Sequence, residues 1–134
     1  MIVIDTNVIH YCWVRGQHTG IAQAVRQRDP DWHVPILWRS ELRNVLTAYL
    51  RRGLLSRSQI ARILGAADRA LSGSEHIIPD DLVLDVVVHS TLTAYDAEFV
   101  ALASALAAPL VTEDKAILKA FPDRALTMEA FARS

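Results

Sequence analysis

A single cysteine, Cys12, leaves no partner for an intrachain disulfide, so nothing covalent staples this chain and an intracellular setting is the default. Apolar residues are plentiful, at 51%, yet no run of them is long enough to cross a bilayer; the stretch from Leu82 to Val88 is broken by Asp85. Met1-Ile2-Val3-Ile4 carries no basic residue and meets Asp5 at once, which is not the form of a secretion signal. Glycine and proline are sparse, five of each, and there is no Gly/Ser linker, low-complexity tract or internal repeat. Collagen, coiled-coil and disordered classes are thereby excluded, and one domain over residues 1–134 is expected. Neither sign of charge dominates, with 14 Lys+Arg against 15 Asp+Glu, which argues against a broad electrostatic grip on a polyanion. The expectation is a soluble, cytoplasmic protein with no membrane contact.

Lysine is also scarce, with Lys115 and Lys119 alone among the 14 cations, and the arginines are unevenly spread. Arg39, Arg43, Arg51, Arg52, Arg57 and Arg62 fall in one region that holds a single acid, Glu41. Such a cluster reads equally as a solvated helix face or as a surface for an anionic partner, since guanidinium forks suit carboxylate and phosphate.

Short apolar runs alternate with longer stretches of helical period, the signature of an α/β fold with a parallel sheet flanked by helices. Strands are expected at Ile2–Ile4, Trp32–Val34, His76–Ile78 and Leu110–Thr112, with a fifth at Ala125–Thr127. Helices are expected from about Thr6 and Thr19, and over Leu37–Leu50, where Leu42, Val45, Leu46, Tyr49 and Leu50 form one stripe. Ser56-Arg57-Ser58-Gln59 has capping-box form and opens a helix carrying Ile60, Ile63, Leu64 and Ala67. Further helices fit Asp80–Ser90, Tyr95–Ala107, Ala116–Phe121 and Met128–Ala132.

Four acids occupy positions that matter in such a fold. Asp5 closes the first strand, and Asp114 follows the fourth by two residues; ligands of open parallel sheets bind beyond these strand ends. Glu41 flanks the apolar stripe of its helix, and Asp96 shares the inward side of its own helix with Phe99, Val100 and Ala103. Each has an ordinary explanation: a helix dipole for Asp96, an arginine one turn away for Glu41, a helix cap for Asp114. Asp5 has no evident local duty. Acids gathered at strand ends and helix starts repel one another unless a cation compensates, and Mg²⁺ or Mn²⁺ takes oxygen ligands of this kind. Such an ion holds a phosphate oxygen and activates a water without any basic surface.

The segments Met1-Ile2-Val3-Ile4-Asp5-Thr6-Asn7, Ser40-Glu41-Leu42, Tyr95-Asp96-Ala97-Glu98-Phe99 and Leu110-Val111-Thr112-Glu113-Asp114 resemble the successive motifs of PIN-domain ribonucleases. More narrowly, the chain is similar to the VapC-type toxins of toxin–antitoxin pairs, with order and spacing agreeing along almost its whole length. The resemblance implies a twisted parallel sheet of order 3-2-1-4-5, and an endoribonuclease dependent on Mg²⁺ or Mn²⁺ that leaves a 5′-phosphate and a 3′-hydroxyl. It implies Asp5, Glu41, Asp96 and Asp114 as the catalytic acids, with Asp5, Asp96 and Asp114 on the metal. Thr6 and Asn7 would support the first acid, and Thr112 the last. Glu113 departs from the family pattern, and its role stays open beside Asp114. The implied partners are an RNA substrate, a cognate antitoxin and a second copy of the chain. The helix pair Leu37–Leu71 is the implied region for dimer and antitoxin, with Arg43, Arg51 and Arg52 available to an acidic partner.

Other signals are weaker. His10 and Cys12 lie near Asp5 but lack a matching pair for zinc. Trp13, Trp32 and Trp38 read as core or interface. The rival readings are an RNA-processing PIN nuclease that is not a toxin, a phosphatase or receiver domain, and a non-catalytic binding module. A phosphatase of the strand-end aspartate kind needs a second Asp at position 7, where Asn7 stands, and a receiver needs an acceptor Asp where Pro79 follows strand three.

Overall fold

Ile2, Val3 and Ile4 form β1 (Ile2–Ile4), all three buried, because this strand is covered on both faces. Alternation sends Ile2 and Ile4 into one core and Val3 into the other. The computed structural model describes residues 1–134. Around β1 lie β2 (Trp32–Pro35), β3 (Glu75–His76), β4 (Leu110–Val111) and β5 (Ala125–Leu126), in the order β3-β2-β1-β4-β5 and parallel throughout. This is the sheet order implied by the resemblance. The register sets Val3 against both His33 and Leu110, and Ile4 against Val111.

The helices are α1 (Thr6–Trp13), α2 (Thr19–Arg28), α3 (Trp38–Arg51), α4 (Arg57–Leu71), α5 (Asp80–Val88), α6 (Ala94–Leu106), α7 (Lys115–Ala120) and α8 (Met128–Arg133). The larger core draws on α1 to α4 and α8; the smaller lies under α5 to α7 on the opposite face. From β1 the chain builds outward through β2 to β3, and from β4 the other way to β5. The order therefore reverses between β1 and β4, which opens a crevice beyond their carboxyl ends.

Local chemistry explains most element boundaries. Ser56 and Gln59 exchange side-chain and backbone hydrogen bonds in the capping box of α4. Thr93 caps α6 by accepting from the Asp96 amide at 3.1 Å. At the far end of α6, Ala107 adopts a left-handed conformation at φ 51°. The tryptophans are packed: Trp32 and Trp38 are buried and Trp13 lies against the same core.

The structure moves one strand. β3 is Glu75–His76, because these are the residues that reach Val34 and Pro35, and the chain leaves the sheet before Pro79 with Ile77 82% exposed. Polar contacts hold this short edge. The Glu75 carboxylate accepts from Trp38 Nε1 at 2.8 Å and from Arg39 Nε at 2.7 Å, and Arg39 also pairs with Asp68. Next to it, His33 Nδ1 and His76 Nε2 share a hydrogen bond of 2.9 Å. The start of α3 is thereby fixed to the sheet edge. Arg39 is structural, whereas Arg43, Arg51, Arg52, Arg57 and Arg62 are exposed.

Candidate active site

Asp5 has the local duty that its sequence position conceals. The chain passes from β1 to α1 with no loop, so Asp5 ends the strand and caps the helix: its Oδ1 accepts from the Val8 amide at 3.1 Å. Its other oxygen accepts from the hydroxyl of Thr112, which is fully buried just past β4. Burial pushes the Asp5 carboxyl up to about 6, and the charge of Asp114 adds to this, while the Thr112 hydroxyl and the Val8 amide hold it down.

Thr112 serves both strand ends at once. While its hydroxyl donates to Asp5, its oxygen accepts from the Asp114 amide at 3.0 Å. Asp114 caps α7, accepting from the Ile117 amide at 3.0 Å. Glu113 turns the other way and caps α8, accepting from the Met128 amide at 2.9 Å. Glu113 is thus engaged at a helix start and is not among the residues lining the pocket.

Glu41 sits in the first turn of α3 and accepts from the Thr6 hydroxyl at 2.7 Å. Thr6 therefore supports Glu41 rather than Asp5, and the Thr112 hydroxyl donates to the Asp5 carboxylate and accepts from the Asp114 backbone amide. Asp96, in the first turn of α6, is half-buried. Burial raises the carboxyls of Glu41 and Asp96, and a neighbouring acid raises each further, Asp96 acting on Glu41 and Asp114 on Asp96.

All four acids line one pocket of about 340 Å³. Thr6 and Asn7 line it as well, with Ser40, Asn44 and Tyr95 at its walls. Ser40 belongs to the Ser40-Glu41-Leu42 motif; Asn44 was not singled out from sequence, although its spacing of about one turn puts it on the helix face of Glu41. No lysine or arginine contributes to the lining, so the acids face each other without a resident counter-charge. His10 is bonded to the Tyr49 hydroxyl at 2.8 Å and Cys12 is buried in the core, so neither reaches this pocket.

The donor set suits a hard divalent cation in kind, offering carboxylate, hydroxyl and amide oxygens. As the side chains stand, no three acids, histidines or cysteines converge closely enough to ligate one ion. Both oxygens of Asp5, and one oxygen each of Asp114 and Glu41, are engaged by an amide or hydroxyl. A cation among these acids would offset the unfavourable burial of their charge.

The fold has solved relatives of low identity. The crystal structure of PAE2754 from Pyrobaculum aerophilum superposes with a TM-score of 0.78 at 22% identity, covering 98% of this chain and 93% of that one. FitAcB from Neisseria gonorrhoeae gives a TM-score of 0.75 at 17% identity over 96% and 99% of the two chains. A toxin–antitoxin complex from Klebsiella pneumoniae gives 0.63 at 18% identity over 96% and 98%. No curated protein matches the chain in sequence. The profile of the PIN domain matches residues 2–122, most of the chain, and with the sheet order and the acid-lined crevice it places this protein in the PIN domain family.

Proposed function

We propose that this protein is a divalent-metal-dependent endoribonuclease and the toxin of a VapC-type toxin–antitoxin pair. One observation carries the reading: carboxylates from four separate segments of the chain line a single pocket at the switch point of the sheet. Membership of a nuclease family supports hydrolysis of a phosphodiester. The likeness to a toxin–antitoxin complex favours an antitoxin as partner, and the exposed Arg43, Arg51 and Arg52 offer it a basic surface.

Asp5, Asp96 and Asp114 are the proposed ligands. These three residues would hold Mg²⁺ or Mn²⁺, which when bound would supply positive charge for a phosphate and for lowering the pKa of a water. Asp5 is the fixed member, held by Thr112 and Val8 so that its carboxylate turns little. Asp96 and Asp114 present their free oxygens from two further helix starts. Glu41, oriented by Thr6 and made more basic by burial, takes the proton of the attacking water. The water oxygen bonds to phosphorus as the bond to the 3′ oxygen breaks, and that oxygen takes a proton from solvent, which leaves a 5′-phosphate and a 3′-hydroxyl. Asn7 would steady the substrate side of Asp5.

Purified protein is expected to cut RNA in Mg²⁺ or Mn²⁺ and to stop in EDTA. Asp96→Asn is expected to lower the cleavage rate at least about a hundredfold, the scale of a lost metal ligand or its support. Cleavage by that variant at the parent rate would refute the assignment. Growth arrest on expression, relieved by the product of a neighbouring small reading frame, separates a toxin from a processing nuclease.

A further inference from the structure

The four helices that start at the acids of the pocket do not start alike. α1, α6 and α7 each begin on a side-chain cap, supplied by Asp5, Thr93 and Asp114. α3 begins on Leu37, which gives no such bond. Its first turn is instead fastened from outside, by a carboxylate on the edge strand. Glu75 is one of the two residues of β3, and three donors of α3 converge on it. Trp38 Nε1 reaches it at 2.8 Å, and Arg39 Nε and Nη2 reach its two oxygens at 2.7 Å each. A two-pronged guanidinium bond fixes orientation as well as distance. Trp38 is buried in the larger core, and the Arg39 guanidinium lies 5.1 Å over its ring. The bonds from Arg39 hold the Glu75 carboxyl below its ordinary range, so it stays ionised.

Glu41 follows Arg39 by two residues, which places it about 200° around the helix and about 3 Å along it. On that far side it accepts from the Thr6 hydroxyl of α1 at 2.7 Å. The first turn of α3 is thus gripped across its width, by β3 on one side and by α1 on the other. A single hydroxyl bond leaves the turn free to roll, whereas the fork and the indole together do not. We propose that Glu75 is a positioning residue for the reaction: through Trp38 and Arg39 it sets the rotation of α3 and so the aim of Glu41 at the attacking water. This rests on the nuclease reading and adds to it a residue outside the pocket. Glu75 does not line the pocket, so its influence passes through α3. Asp5, Asp96 and Asp114 stand on other elements, and their hold on a cation does not depend on this clamp.

The test uses the full chain, an RNA substrate and Mg²⁺, with single-turnover cleavage followed long enough to read slow variants. Glu75→Gln keeps the size of the side chain but leaves one oxygen for three donors and turns an amide N–H₂ toward them. It is expected to lower kcat by up to about a hundredfold, the cost of a misplacement near 1 Å. KM and the Mg²⁺ concentration for half activity are expected to stay at the parent values. In Glu41→Gln the same change is expected to cost nothing further, because residues that act as one unit are not additive. Trp38→Phe drops the indole N–H and keeps an aromatic ring; a several-fold loss with the same pattern is expected, and it serves where Glu75→Gln does not fold. Phe131→Leu, which thins the larger core from α8, gives the effect of lost stability alone. A loss in Glu75→Gln no greater than in Phe131→Leu would overturn the proposal. So would a raised metal requirement, or an equal loss in the Glu41→Gln background, with the nuclease itself left standing. A parent protein inert toward RNA would overturn the nuclease reading and this one with it.

Discussion

The buried carboxyl of Asp5 sets the balance between stability and activity. Its folded value of about 6 lies above the ordinary 3.8, so the native protein holds a proton more tightly than the unfolded chain does. Metal-free protein therefore loses stability as pH rises from about 4 to about 6, by up to ~3 kcal/mol from this group, and keeps that deficit at neutral pH. Glu41 and Asp96 contribute with the same sign. Asp5→Asn preserves an oxygen for the Val8 amide and removes the charge. In EDTA near neutral pH it is expected to unfold at higher temperature than the parent, worth about 1–3 kcal/mol, and the difference should vanish toward pH 4. Calorimetry across that range checks both the sign and the window. Nothing in the residue order reveals this double duty, because a strand-closing acid and a helix cap look alike when no loop divides the two elements.

At the level of elements, the sites are supported by helix starts. Asp5, Asp114 and Glu113 each receive a helix amide, and Asp96 and Glu41 lie in first turns. The positive end of each helix partly offsets the crowding of carboxylates. These helices were largely legible in the sequence, since capping residues and apolar spacing act locally. β3 was not, because Ile77-Ile78 looks like strand while the edge of the sheet is decided by pairing with Val34 and Pro35 and by the ions that hold Glu75. The target of each threonine was equally hidden. Thr6 reaches Glu41 across 35 residues, a distance that local pattern does not encode. One helix end carries avoidable strain: Ala107 is left-handed and exposed, and Ala107→Gly is expected to stabilise the fold by about 0.5–1 kcal/mol in urea titration with an unchanged m-value.

For the molecule as a whole, near-neutral charge and an acid-lined crevice imply that the proposed grip on RNA would need positive charge from outside the chain's own cations. Mg²⁺ or Mn²⁺ is accordingly expected to raise the melting temperature, by about 2.7 kcal/mol of stability at a hundredfold excess over its dissociation constant. Asp5→Asn combined with Asp96→Asn should abolish that shift, and a parent protein indifferent to either ion would show that the crevice holds none. Fold class, strand number and the four acids were readable because parallel sheets bury continuous apolar runs and place ligands at strand ends. The closeness of the acids was not, since it depends on β1 lying beside β4. The same adjacency governs timing. The Thr112 hydroxyl comes 107 residues after the carboxylate it steadies. A nascent chain that has left the ribosome only through α6 has β1 paired on one side alone, with neither Thr112 nor Asp114 yet in reach. The crevice therefore acquires its full set of carboxylates, and the hydroxyl that orients Asp5, only once β4 and the residues just after it have been made.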